Sequence, residues 1–210
     1  MWMFTFENDW KKIYLLQRRY YKFNKPYGYL SQFTDEGKWK GLSQILNLPE
    51  DVYSVGRLDA ESEGLLLLTN DTSINQRLLL PKNKHERCYY VQVDGEITRE
   101  ALAQLAKSVT IKVGKKDYNT LPAKASACGK PDFIWEREPP IRVRKSIPTS
   151  WVKLILREGK NRQVRKMTAA VGFPTLRLVR FSIEELSLAH LEPGEMKECD
   201  ESEFKKMLHL

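Results

Sequence analysis

The sequence predicts an α+β fold, with a largely antiparallel mixed sheet flanked by helices. Three observations lead there. Residues 65–68 are four consecutive leucines, a run suited to a fully buried strand. YYVQV at 89–93 and WVKLIL at 151–156 have strand character. Amphipathic helices with capping residues are interspersed, but without the strict strand–helix alternation of a parallel doubly wound sheet.

Taken in order, RYYKFNK at 19–25 is a short strand closed by Pro26 and Gly28. A polar loop over 32–40 leads to one or two helical turns within 41–48. Residues 65–69, bounded by Gly64 and by Asn70 and Asp71, form a strand buried on both faces. Thr72 or Ser73 caps a helix running through Leu80 and ended by Pro81. After the strand at 89–93, Thr98 caps a helix over 99–107 with Leu102, Leu105 and Ala106 on one face. Residues 109–113 are a further strand, and 114–122 a turn-rich connection. Pro139, Pro140 and Pro148 keep the next segment extended. The central strand at 151–156 turns at Gly159 into a helix of about ten residues capped by Asn161. Its Val164, Met167, Thr168 and Val171 face the core. Gly172 ends that helix, Pro174 prevents its continuation, and 175–183 is a last, basic and apolar strand.

Composition narrows the class. With 41% hydrophobic and 30% charged residues, the 210-residue chain reads as an ordinary globular protein. No apolar stretch approaches the roughly 20 residues that span a bilayer. Glu7 and Asp9 interrupt the start where a signal peptide is basic and then apolar, so a cytoplasmic location is expected. Cys88, Cys128 and Cys199 are odd in number and lack a CxxC pair, which points to reduced thiols rather than disulfides or zinc. The net charge of +8 is concentrated. Residues 137–180 hold twelve lysines and arginines against Glu138 and Glu158, a surplus of +10. That concentration fits a polyanion groove, and nucleic acid suits it better than a membrane because no amphipathic anchor helix accompanies it.

The stretch 55–64, VGRLDAESEG, carries the chemistry. It sets Asp59 at the entrance to the buried strand, two residues after Arg57, whose charge favours a carboxylate. A carboxylate held at a cleft rim is a candidate nucleophile. On spacing alone, an Asp that caps a turn through its own side chain is the simpler reading. His85, His190 and His209 are scattered, and no phosphate loop or dinucleotide fingerprint is present. A cofactor-free enzyme and a protein that only binds RNA both remain open.

KFNKPYG at 22–28, GRLDAESEGLLLLTND at 56–71, YYVQV at 89–93 and EGKNRQVRKM at 158–167 occur in the order and register of pseudouridine synthases. The chain resembles the branch of that family that modifies ribosomal RNA. REPPIRVRKSIPTSW at 137–151 and GFPTLRLVR at 172–180 are similar to members acting on large-subunit (23S) rRNA. The resemblance covers residues 19–190, the expected catalytic domain, with 1–18 as an N-terminal arm and 191–210 as a C-terminal tail. Many relatives carry a separate small RNA-binding domain ahead of the catalytic one, for which residues 1–18 are too few. Recognition is then expected to rest on the catalytic domain.

The resemblance implies the pseudouridine synthase catalytic fold with a central active-site cleft, and an isomerase needing no cofactor or metal. Asp59 would attack a flipped-out uridine at C1′ or at C6. Tyr89 would stack on the target base and help move a proton; without the resemblance it reads as a core aromatic, and Tyr90 points to the opposite face. Arg165 would pair with the catalytic carboxylate, against the plainer reading of a solvated helix arginine. Arg57 is expected to order the active-site loop or contact phosphate. Lys160, Arg162, Lys166, Arg142, Arg144 and Lys145 are candidates for holding the RNA backbone. Lys25 and Pro26 are read as a strand-ending turn against the active-site strand, and Leu58 and Leu66 as core. The expected partner is 23S rRNA or a large-subunit assembly intermediate, with no membrane and a monomeric enzyme. A non-catalytic assembly factor and a synthase acting on tRNA are the competing readings.

Overall fold

The computed structural model describes residues 17–141 and 147–210. Arg142, Arg144, Lys145 and most of the N-terminal arm therefore lie outside the described residues.

Among the described residues the strands are β1 (Tyr20–Lys25), β2 (Tyr53–Val55), β3 (Glu63–Thr69), β4 (Arg87–Asp94), β5 (Thr110–Val113), β6 (Lys116–Asn119), β7 (Lys124–Cys128), β8 (Thr149–Leu156), β9 (Thr175–Ile183), β10 (Leu186–Ser187) and β11 (Met196–Glu198). The helices are α1 (Thr72–Leu79), α2 (Arg99–Lys107), α3 (Gln163–Ala170) and α4 (Glu201–Met207). One nine-stranded sheet runs β11-β1-β3-β9-β4-β8-β7, with β2 added to β3 and β10 to β9. β3 and β9 pair in parallel and the sheet's other described pairings are antiparallel. This is the mixed, largely antiparallel α+β sheet that the sequence predicts.

All seven residues of β3 are buried, as its apolar run requires. In β4 the side chains alternate. Tyr89, Val91 and Val93 join a core with α2, α3 and the β5–β6 hairpin, whereas Tyr90 packs edge-on against Phe133 and Phe181 in a second core. Thr98 caps α2 through a hydrogen bond from the Ala101 N–H. The expected central strand, β8, is interior, between β4 and the edge strand β7.

Several boundaries differ from expectation. Asp71, rather than Thr72 or Ser73, caps α1, because its carboxylate accepts both the N–H and the hydroxyl of Ser73. α3 starts at Gln163 and has eight residues, since Arg162 takes a left-handed conformation (φ 53°) and ends the turn where Asn161 was expected to cap. The connection at 114–122 contains β6, a hairpin partner of β5. β9 is not the last strand. Beyond residue 190, β11 pairs with β1, and Phe204 of α4 and Leu208 just after it are fully buried in the core with Tyr20.

Gly172 closes α3 at φ +90°, with Phe173 N–H donating to the Thr168 carbonyl. Nothing lies within 4 Å of a Cβ placed there, so Gly172→Ala tests backbone strain alone. Urea denaturation should show a loss of about 1–2 kcal/mol.

Candidate active site

The loop between β2 and β3 is pinned by backbone groups. Ser31 Oγ accepts from the Leu58 N–H and donates to the Leu58 carbonyl, both at 2.8 Å. Gly28 N–H donates to the Ala60 carbonyl (2.8 Å), and Ser62 N–H to the Asp59 carbonyl (2.9 Å). The Asp59 side chain takes no part in this turn. Among the described residues its carboxylate caps no N–H, and it stands 33% exposed on the rim of a cleft of about 710 Å³. The capping reading of Asp59 therefore loses its physical basis.

Tyr89 lines the same cleft and is 8% exposed. It faces Arg180 across the β4–β9 ladder and Leu154 across β4–β8. Arg57, Lys160 and Arg162 also line the cleft. Among the described residues, the ion pair that Asp59 makes is with Arg162. Arg162, swung toward the loop by its left-handed backbone, brings Nη1 to 3.7 Å from Asp59 Oδ2 and donates from Nη2 to Glu61 Oε2 at 2.8 Å. That hydrogen bond, with the Arg162 charge, lowers the Glu61 carboxyl below its ordinary value despite desolvation.

Arg165 reaches the backbone just past Asp59 instead, donating to the Glu61 carbonyl at 2.8 Å and to Ser62 Oγ at 3.4 Å. Burial lowers its pKa and the neighbouring Arg162 adds to this, while Glu61 and Asp59 oppose both. Arg57 is exposed and donates to Gln32 Oε1 (3.4 Å). Lys160 lies over the Tyr118 ring at 4.8 Å. Lys166 is half-buried on α3 and does not line the cleft.

Three features escaped the sequence reading. Arg180, buried in β9, donates from Nε to the Leu65 carbonyl (2.8 Å) and has Nη2 buried without a partner among the described residues. A cation inside an apolar strand is the signal that could have marked it. Glu158 forms the back wall, accepting from Tyr118 Oη (2.5 Å), Leu121 N–H (2.8 Å) and Gln163 Nε2 (2.6 Å). Leu79, Leu80 and Leu121 are exposed apolar side chains on the cleft's lip. Among the described residues no cluster of potential metal ligands occurs and no helix is long and apolar enough to cross a membrane.

Lys25 lies opposite Gly64 of β3, as the expected strand-ending turn against the active-site strand. Its fully buried ammonium donates to the Pro26 and Tyr29 carbonyls at 2.9 and 2.6 Å. Burial pushes its pKa down from 10.5 to about 7, against the pull of Glu63 and Asp59 and assisted by Arg180. Between those two values the unfolded chain binds the proton that the folded chain has lost. Stability should therefore rise with pH from about 7 to 10.5, by up to about 1.4 kcal/mol per pH unit, and this group should add no slope below 7. Unfolding free energies from pH 7.5 to 9.5 should show this slope as the difference between the wild type and Lys25→Met.

A family model described as RNA pseudouridylate synthase matches residues 19–170. The ribosomal large subunit pseudouridine synthase E of Vibrio parahaemolyticus is 48% identical over 187 residues, covering 89% of this chain and 76% of that protein. The synthase of the same name from Xanthomonas campestris pv. campestris is 46% identical over 178 residues, covering 84% and 93%. A crystal structure of a pseudouridylate synthase superposes with a TM-score of 0.73 at 27% identity, covering 91% of this chain and 74% of that one.

Proposed function

The chain belongs to the RNA pseudouridylate synthase family, and from that membership we propose that it isomerises a uridine of large-subunit (23S) rRNA, with Asp59 as the nucleophile. The observation that carries the mechanism is Asp59 itself. It is a carboxylate that caps no backbone N–H among the described residues, on a loop fixed by four backbone-anchored hydrogen bonds, at the rim of a cleft lined by Tyr89 and by basic side chains. The substrate reading draws on relatives 46–48% identical that are named for the large ribosomal subunit.

The target uridine leaves its stack and enters the cleft. Asp59 adds to it at C1′ or at C6, and either route leads to cleavage of the bond between C1′ and N1. The uracil turns in place, C5 bonds to C1′, the bond to Asp59 breaks so that its carboxylate is regenerated, and the hydrogen on C5 departs as a proton. Tyr89 forms the wall against which the ring turns and offers its hydroxyl for proton movement. Arg165 holds the backbone beyond Asp59, and Arg162 orients the carboxylate. Lys160 and Arg57 are placed to meet phosphate, where released counterions dominate affinity. The enzyme acts as a cytoplasmic monomer in this reading.

Mapping pseudouridine in unmodified 23S rRNA, 16S rRNA and tRNA after incubation with the purified chain tests the substrate class. A new modified site in 23S rRNA alone is expected. Modification of tRNA in its place would overturn the ribosomal assignment.

A further inference from the structure

Outside the cleft lining, a second surface of cations and rings stands beside the Asp59 loop. The Tyr27 and Trp39 rings meet edge-on, with centroids 6.2 Å apart at 81°. The Arg137 guanidinium lies 4.4 Å from the Tyr27 ring centre, and the Lys38 ammonium 4.7 Å from that of Trp39. All four side chains are at least partly exposed.

This surface is held rigidly. Tyr27 sits in the turn whose carbonyls take the buried Lys25 ammonium, and its neighbour Gly28 bonds to Ala60, the residue after Asp59. Trp39 closes a tight turn through reciprocal backbone hydrogen bonds with Glu36 at 3.1 Å. Arg137 follows Trp135 by two residues. Trp135 is anchored through its indole N–H to Glu63 (3.0 Å) and through its carbonyl to Arg177 (2.7 Å). Arg137 Nε donates in turn to the Pro139 carbonyl at 2.8 Å, which fixes the plane of its guanidinium. The nearby Asp35 carboxylate is occupied by the Gly41 N–H and the Gln44 side chain.

Unpaired bases stack on aromatic rings and on guanidinium planes, while cations hold the adjoining phosphates. A guanidinium lying over one ring leaves its other side open to a base. We propose that Arg137, Tyr27 and Trp39, with Lys38, form a stacking platform for an unpaired nucleotide that flanks the target uridine. The proposal rests on the reading of the chain as an enzyme acting on RNA. The target base itself belongs at Asp59, inside the cleft, and the platform adjoins that site through the Gly28–Ala60 hydrogen bond. Its occupant is therefore a neighbour of the target in the RNA strand.

Binding of single-stranded heptauridylate, followed by tryptophan fluorescence, tests this independently of turnover. The wild type should be quenched, and a duplex of the same length should quench less. Arg137→Gln and Tyr27→Leu should each weaken binding about tenfold. Arg137→Lys, which keeps the charge but loses the plane, should weaken it nearly as much, and Trp39→Phe should remove most of the quench. Thermal melting of each variant establishes that it is folded. Binding within twofold of wild type in folded Arg137→Gln and Tyr27→Leu, or equal quenching by the duplex, overturns the platform. Isomerase activity on 23S rRNA is measured in parallel. Its absence in the wild type would count against the reaction, while the oligonucleotide result still decides the platform.

Discussion

Replacing Asp59 by Asn is expected to reduce isomerisation on the order of 10⁴-fold or more, while folding and RNA affinity are kept. The amide has nearly the shape of the carboxylate but is not a comparable nucleophile. Little stability should be lost, because the side chain caps no backbone group and its ion pair with Arg162 is long, at 3.7 Å, and half exposed. Such pairs contribute about 0–1 kcal/mol. RNA affinity should hold or rise, since one negative charge leaves a basic cleft. Single-turnover rates beside urea denaturation separate the two effects. A capping Asp would give the opposite pattern, with stability lost and rate retained.

The largest effect on stability is expected at Glu63. Its carboxylate takes two hydrogen bonds from Arg177, at 2.9 and 2.8 Å, and a third from the Trp135 indole. The ionised side chains are only 1% and 5% exposed. Glu63→Gln would leave the Arg177 charge buried without its counter-ion, at a cost of about 3–5 kcal/mol. For a chain of this length that is a fall in melting temperature of roughly 6–20 °C. Removing both charges in Glu63→Gln with Arg177→Met should recover part of the loss, because no uncompensated ion remains. If the double variant were no more stable than Glu63→Gln alone, the cost would lie in packing rather than in the orphaned charge. Gly64, the next residue, explains why β3 tolerates little adjustment here. It has φ +102°, and a Cβ on it would fall 2.3 Å from the Arg180 carbonyl oxygen.

Where local chemistry alone decides an element, the sequence shows it. The leucine run of β3, the alternation of β4, the Thr98 cap of α2 and the Gly172 stop of α3 each follow from neighbouring residues. β7 carries no local signal because KASAC is a short, mostly exposed edge strand without large apolar or β-branched residues, and its pairing with β8 supplies its order. α4 looks like a tail in the sequence because it is rich in Glu and Lys; its contribution to the core is a few apolar residues, Phe204 above all.

The site divides in the same way. Asp59 and Tyr89 could be found from motifs and do share one cleft. The choice between Arg162 and Arg165 as the neighbour of Asp59 could not. It depends on the left-handed backbone at Arg162, which no residue preference signals. Arg180 stands 91 positions beyond Tyr89 in sequence, and only the β4–β9 pairing sets them opposite each other.

The most direct test of the account is tritium release from 23S rRNA labelled at uridine C5. Closing the new bond from C5 to C1′ expels that hydrogen, so release reports the isomerisation itself. The wild-type chain should release tritium in proportion to the pseudouridine formed, and Asp59→Asn should release none above background. Full release by Asp59→Asn, or none by the wild type on either ribosomal RNA, would contradict it.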